Sequence, residues 1–254
     1  MSQHHVDKTY GLIGYPLIHS FSKDYFNQKF ESEGISAEYV NFEIDDVNKL
    51  SEVIGETPNL CGLNVTLPYK QQVIPFLDSL DEGAEEIGAV NVIRFVRDGG
   101  GGVSLRGYNT DASAFQKSIE PLLTPACTRA LVLGTGGASR AIAYALRQLG
   151  VEVQFVSRRK TASTLTYEEL TKAMMHAHKI VVNTTPLGMY PHMDECPDIP
   201  YRFITSEHLC YDLIYNPDET KFMQQCRKHG ATVKNGLEML LLQAFQSYEI
   251  WNMK

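Results

Sequence analysis

The stretch Gly134-Thr135-Gly136-Gly137-Ala138 stands between a short apolar run, Ala130 to Leu133, and an amphipathic segment beginning at Ala138. Glycines there permit a tight strand-to-helix turn and let a diphosphate approach backbone N–H groups at the positive end of the helix. The next predicted strand ends in Ser157-Arg158-Arg159-Lys160. An NAD-type site needs an acid about 20 residues after the glycine turn to receive the ribose hydroxyls. No acid stands there, and guanidinium groups can clamp a 2′-phosphate, so the pattern favours NADP. A plain turn followed by three solvated basic residues is the competing reading. A third stretch, Gly14-Tyr15-Pro16-Leu17-Ile18-His19-Ser20-Phe21-Ser22, joins a predicted strand to a predicted helix. The Ser20 and Ser22 hydroxyls and nearby N–H groups can receive a carboxylate, or Ser22 can simply cap the helix.

The elements that must position these residues follow from hydrophobic period. Thr9 to Tyr15, Glu38 to Glu43 and Gly62 to Thr66 read as strands, with helices at Ser22 to Glu33 and Asp45 to Ile54 between them. This alternation implies a mostly parallel sheet covered by helices. Ala89 to Val96 and Val103 to Tyr108, joined by Arg-Asp and four glycines, read as a hairpin added at one edge. Asp111 to Leu123 is amphipathic and stops among Pro121 and Pro125, after which the strand-helix rhythm restarts. Strands are expected at Ala130 to Leu133, Glu152 to Val156, Lys179 to Asn183 and Leu209 to Asp212. Helices are expected at Ala138 to Leu149, between the second and third of these strands, at Glu219 to His229 and at Gly236 to Trp251. The expected fold class is α/β with two domains: an N-terminal mostly parallel α/β substrate domain and a Rossmann-type doubly wound dinucleotide domain. Residues 1–110 with the C-terminal helix 237–254 would form the first, and residues 111–236 the second.

Composition bounds the rest. The 254 residues are 43% hydrophobic and 21% charged, enough for a substantial core, and the net charge of −7 argues against a nucleic-acid partner. Five cysteines, Cys61, Cys127, Cys196, Cys210 and Cys226, are too widely spaced for a zinc knuckle or a C-x-x-C pair, so reduced thiols and no metal are expected. The N-terminus lacks a secretory apolar run and no segment reaches the roughly 18 apolar residues of a membrane span, which points to the cytoplasm.

Further motifs stand in order along the chain: the paired serines, Asn64-Val65-Thr66-Leu67-Pro68-Tyr69-Lys70, Gly88-Ala89-Val90-Asn91 and Asn109-Thr110-Asp111. Asn183 to Met189 (NTTPLGM), Tyr211 to Pro217 (YDLIYNP) and Asn235 to Gln243 (NGLEMLLLQ) continue the series. Over nearly its whole length the chain resembles the shikimate dehydrogenase family. The resemblance implies reversible, NADPH-dependent reduction of the ring ketone of 3-dehydroshikimate to shikimate in aromatic amino-acid biosynthesis.

It assigns Lys70 and Asp111 to catalysis. Hydride arriving at a carbonyl carbon leaves negative charge on oxygen, and an ammonium held by a carboxylate can neutralise that charge and deliver a proton. By themselves, Lys70 would read as an exposed lysine after a proline turn and Asp111 as a helix cap. The resemblance places Ser20 and Ser22 on the substrate carboxylate with Tyr215 near it, and Thr66, Asn91 and Gln243 on ring hydroxyls. Capping, strand-end, solvated and packed roles are their ordinary alternatives. On the cofactor it implies Gly134, Gly136, Gly137, Ala138, Ser157, Arg158 and Arg159, with Thr184, Pro186, Leu187 and Met189 in the loop beside the nicotinamide and Gly236 and Met239 closing over it. The chain departs from the family pattern at Lys23 and Phe26, where proline and histidine are usual, and at Ala114, where glycine is usual. It departs again at Ser157-Arg158-Arg159, in place of asparagine-arginine-threonine. Rival readings are a quinate/shikimate dehydrogenase with relaxed NAD and NADP use, a catalytically silent member that binds NADP or shikimate, and a folate or glutamyl-tRNA type of two-domain dehydrogenase. The expected partners are small molecules, with no membrane, and the expected state is monomer or homodimer.

Overall fold

The computed structural model describes residues 6–17, 21–97 and 102–253. The chain divides into two compact units, Met1–Thr110 with Ala244–Lys254 and Asp111–Gln243.

In unit 1, β1 (Lys8–Gly14), α1 (Phe21–Glu33), β2 (Ala37–Glu43), α2 (Leu50–Glu56) and β3 (Leu60–Val65) alternate, and β4 (Ser79–Leu80), α3 (Glu82–Ile87), β5 (Val92–Arg97) and β6 (Val103–Tyr108) follow. They make one sheet in the order β2-β1-β3-β5-β6-β4. β1 runs parallel to β2 and β3, whereas β5 is antiparallel to both β3 and β6. Alternation along the strands sends Ile13, Leu63 and Ile93 into one apolar cluster and Tyr10, Leu12 and Val92 into another, so both faces of the sheet are covered. The second cluster is aromatic. Trp251 stacks on Tyr10 with ring centroids 4.8 Å apart and donates its indole N–H to the Ile93 carbonyl at 3.1 Å.

Several boundaries differ from the periodicity reading for local reasons. The helix expected at Asp45 opens as a 3-10 turn, Val47–Lys49, because the Asp46 carboxylate accepts the Asn48 N–H, and α2 then runs on to Glu56. The strand expected from Ala89 begins only at Val92, because α3 ends on Gly88 at φ 67° and three residues are spent leaving that turn. The predicted hairpin strands do pair, but the short β4 lies outside them, parallel to β6, so the antiparallel pair is not the sheet's edge. Residues 98–101 of the glycine turn lie outside the described residues.

Unit 2 contains α4 (Asp111–Ile119), β7 (Arg129–Leu133), α5 (Gly137–Gln148), β8 (Glu152–Val156), β9 (Thr164–Leu165), α6 (Lys172–Ala177), β10 (Ile180–Asn183), β11 (Leu209–Asp212), α7 (Lys221–Lys228) and β12 (Thr232–Lys234). α8 (Leu237–Trp251) begins here, and the boundary between units falls within it. α4 stops at Ile119 and tightens into a 3-10 turn over Pro121, whose ring nitrogen has no hydrogen to donate. The sheet order is β12-β11-β10-β7-β8-β9 with every pair parallel. Counted along the chain, that is the doubly wound Rossmann order 3-2-1-4-5-6, whose direction reverses between β7 and β10. Buried on both faces, β7, β10 and β11 are nearly unbroken apolar runs. No helix among the described residues is long and apolar enough to cross a membrane.

Candidate active site

In unit 1 the strand directions bring the C-terminal ends of β1, β3 and β6 and the start of β5 to one sheet edge. Thr66 leaves β3 at that edge, its N–H donating to the Ile13 carbonyl at 2.9 Å, and its own carbonyl accepts the Tyr69 N–H at 2.9 Å. Tyr69 is buried and donates its hydroxyl to the Ile44 carbonyl at 2.6 Å, which fixes the turn that presents Lys70. The Lys70 carbonyl accepts the Val90 N–H at 2.7 Å, tying that turn to the lead-in of β5, and the Lys70 side chain is half-buried.

Asn91 is buried next to them and clamps Thr110. Its amide oxygen accepts the Thr110 N–H at 2.7 Å and its amide nitrogen donates to the Thr110 hydroxyl at 2.9 Å. Asn109 donates to the Ala89 carbonyl at 2.9 Å, so the residues before Asp111 are held by backbone and side chain alike. Asp111 itself, nearly buried, opens α4 as the first residue of unit 2.

A polar chain inside unit 1 backs this edge, and periodicity gave no sign of it. The Tyr39 hydroxyl donates to the Asn64 amide oxygen at 2.8 Å, and the Asn64 amide nitrogen donates to the Ser247 hydroxyl at 3.0 Å and to the Asn91 carbonyl at 3.3 Å. Burial raises the Tyr39 hydroxyl above its ordinary range, and a hydrogen bond from Ser22 opposes that rise. Ser22, in the first turn of α1, is half-buried, while Ser20 lies outside the described residues. Asn64 inside an apolar strand was the available signal, since a buried amide needs partners.

In unit 2, Gly134 follows β7 with φ 113°, a left-handed backbone that side chains disfavour. A Cβ there would stand 2.6 Å from the Thr184 hydroxyl, because Thr184 packs across the switch point and donates that hydroxyl to the Leu133 carbonyl at 2.6 Å. Gly136 caps α5 without a side chain and nothing lies within 4 Å of where its Cβ would project. Open space at a helix N-terminus that has no side-chain cap hydrogen bond among the described residues suits a diphosphate. Gly137 is buried and Ala138 half-buried in the first turn.

β8 ends at the same side of the sheet, where Ser157 accepts the Arg159 N–H at 3.2 Å and folds the basic segment back. Lys160 pairs with Glu169, whereas Arg158 and Arg159 are exposed and meet no carboxylate among the described residues. Beyond β10, Pro186 and Met189 are exposed and Leu187 is half-buried. Gly236 lies against the Leu213 backbone, which a Cβ would meet at 2.0 Å, and Met239 is buried one turn on. Burial raises the Tyr215 hydroxyl above its ordinary range. Gln243 turns an amide N–H to the Leu240 carbonyl of its own helix at 3.0 Å.

Residues 12–93 match the family described as the shikimate dehydrogenase substrate binding domain. The chain is 38% identical to the shikimate dehydrogenase (NADP(+)) of Carboxydothermus hydrogenoformans, covering 96% of this chain and 91% of that one. The chain belongs to the shikimate dehydrogenase family. Another member, the shikimate dehydrogenase (NADP(+)) of Desulforamulus reducens, is 36% identical over 95% of this chain and 88% of its own length. The crystal structure of shikimate dehydrogenase from Aquifex aeolicus superposes with a TM-score of 0.82 at 34% identity, covering 96% of this chain and 92% of that one. Shikimate dehydrogenases combine an N-terminal substrate domain with a Rossmann-like NADP domain, and the two sheets described above are of those two kinds.

Proposed function

We propose that the chain reduces the ring ketone of 3-dehydroshikimate to shikimate, reversibly and with NADPH, as a step of aromatic amino-acid biosynthesis. What carries the reading is the match along nearly the full length of proteins named shikimate dehydrogenase (NADP(+)). Unit 1 binds the substrate and unit 2 the cofactor. Bound NADPH supplies the hydride.

Ser20 and Ser22 receive the substrate carboxylate, with Tyr215 near that end, and Thr66, Asn91 and Gln243 hold the ring hydroxyls. Lys70 and Asp111 act as one acid/base unit: the ammonium neutralises charge developing on the ketone oxygen, the carboxylate holds the ammonium, and a proton passes to that oxygen. Gly134, Gly136, Gly137 and Ala138 accept the diphosphate, and Ser157, Arg158 and Arg159 take the 2′-phosphate. Thr184, Pro186, Leu187, Met189, Gly236 and Met239 flank the nicotinamide. The fit to NADP rests on the open N-terminus of α5, the left-handed Gly134 and exposed arginines where an NAD site would carry an acid.

The protein works on small molecules in the cytoplasm, as a monomer or homodimer. Its five unpaired cysteines suit a reducing compartment and its net charge of −7 suits no nucleic acid. The test is NADPH formation followed by near-ultraviolet absorbance with shikimate, then with quinate or NAD substituted, in wild type and Lys70→Ala. Turnover with shikimate and NADP that the variant loses is the expected result. Tight NADP binding without turnover in wild type would overturn the enzymatic reading.

A further inference from the structure

Beneath the loop from Thr184 to Met189 lies a buried carboxylate. Asp212, at the end of β11, is fully buried, and its hydrogen-bond partners among the described residues are the uncharged donors of Asn183, Ile214 and Thr220. One carboxylate oxygen accepts the Asn183 amide at 3.1 Å and the Ile214 N–H at 3.0 Å, and the other accepts the Thr220 hydroxyl at 2.6 Å.

Asn183, also buried, spends its amide on the loop. Its oxygen accepts the Thr185 N–H at 3.0 Å and the Thr185 hydroxyl at 2.7 Å, and its nitrogen donates to the Leu187 carbonyl at 3.4 Å as well as to Asp212. Both donors and both acceptors of that amide are thus in use. The Thr185 hydroxyl in turn accepts the Leu187 N–H at 3.3 Å. From the other side Thr220 supports Gly188, whose Cβ position lies 3.4 Å from the Thr220 Cβ, and the Tyr190 N–H reaches the Asn216 carbonyl at 3.4 Å.

The loop therefore has no regular structure of its own. Beside the Thr184 bonds to the Leu133 carbonyl and the Met189 N–H to the Pro186 carbonyl at 3.1 Å, the loop is held at Thr185 and Leu187 by one amide, which is itself oriented by one carboxylate. An amide is nearly symmetric and could turn over, exchanging its oxygen for its nitrogen. Turned over, it would point its oxygen at a carboxylate oxygen and its N–H groups at the Thr185 N–H, which is repulsive at both ends.

We propose that Asp212 is a positioning residue for cofactor binding: with Thr220 it fixes the orientation of Asn183 and so the conformation of the 184–189 loop. The proposal rests on the reading that this loop flanks the nicotinamide. Asp212 touches neither cofactor nor substrate in this scheme.

Two variants disturb the carboxylate differently. Asp212→Asn leaves the Thr220 hydroxyl free to accept the Met223 N–H at the start of α7, whereas Thr220→Val removes both that cap and the donor to Asp212. Thr220→Ser restores the hydroxyl. Binding is measured by calorimetry with NADP and with 2′,5′-ADP, which lacks the nicotinamide, and steady-state kinetics separate the KM for NADP from the KM for shikimate. Circular dichroism confirms that each variant is folded.

We expect Asp212→Asn and Thr220→Val each to weaken NADP about tenfold, with 2′,5′-ADP affinity and the shikimate KM within twofold of wild type and Thr220→Ser close to wild type. Loss of cap stability alone would lower the melting temperature of Thr220→Val without this split. Leu187→Ala, a direct change in the loop, separates the two levels of the argument. If it weakens NADP while folded Asp212→Asn and Thr220→Val bind NADP normally, the positioning role is overturned and the loop reading stands. If Leu187→Ala leaves NADP binding unchanged, the loop reading falls and the proposal falls with it.

Discussion

Asp212 also makes stability depend on pH with a sign opposite to that of most carboxylates. Burial pushes its carboxyl up from the ordinary value of 3.8 to about 6, against hydrogen bonds from Thr220, Ile214 and Asn183 that pull it down. The unfolded chain releases this proton near pH 3.8 and the folded chain keeps it to about pH 6, so across that window the native state binds more protons. Stability from this group is complete below pH 3.8 and is lost as pH rises through 6, at about 1.4 kcal/mol per unit and about 3 kcal/mol in all. Asn at 212 cannot titrate, so the difference in stability between wild type and Asp212→Asn isolates the effect from groups common to both. Among those is His208, which burial pushes down, so that its contribution is lost as pH falls. The sole tryptophan, Trp251, belongs to unit 1, so its fluorescence does not follow Asp212. Amide hydrogen exchange of β10 and β11 does. Between pH 5 and 7 the wild type should lose about 1.4 kcal/mol relative to Asp212→Asn, a tenfold increase in the opening constant. A wild type that holds or gains stability relative to Asp212→Asn as pH rises would refute the reasoning, because it would mean that the donors outweigh burial and keep Asp212 ionised throughout.

Trp251→Ala should cost unit 1 about 3–5 kcal/mol, since it empties a site packed by Tyr10, Phe26 and Tyr39 and leaves the Ile93 carbonyl without its donor; urea titration by far-ultraviolet circular dichroism measures it. Gly134→Ala should weaken NADP at least tenfold while shikimate binding is kept, because a Cβ at φ 113° meets the Thr184 hydroxyl; calorimetry with each ligand checks the split. Replacing Arg158 and Arg159 together by alanine should raise the KM for NADP about tenfold or more and leave that for NAD within a few-fold, given about 1.5–3 kcal/mol for a charged hydrogen bond. Equal losses with both cofactors would remove the 2′-phosphate from these residues.

What the sequence disclosed followed the range over which its signals act. The turn after β7 was legible because strand, glycines and helix are consecutive, and β10 and β11 because burial on both faces leaves an apolar run. Two-residue strands such as β4 and β9 carry too few residues for a period to show, and their pairing is decided by neighbours far along the chain. The roles proposed for Lys70 and Asp111 rest on ordered motifs shared with a family, since a lysine after a proline turn looks like any exposed lysine. The hydrogen bonds that organise both units were the least visible. Asn64 meets Ser247 across 183 positions and Asp212 meets Asn183 across 29, and no local pattern registers either pair.

The division of α8 between the units sets an order on synthesis. All of Asp111–Gln243 has left the ribosome before Ala244 to Trp251, yet these last residues belong to the unit begun first. Until they emerge, Tyr10, Phe26 and Tyr39 lack the indole that packs on them and Asn64 lacks the Ser247 hydroxyl. Of the two units, the one translated earlier is therefore the later to close its core, and while Asp111–Gln243 is being made its aromatic cluster stays open to whatever holds nascent chains apart.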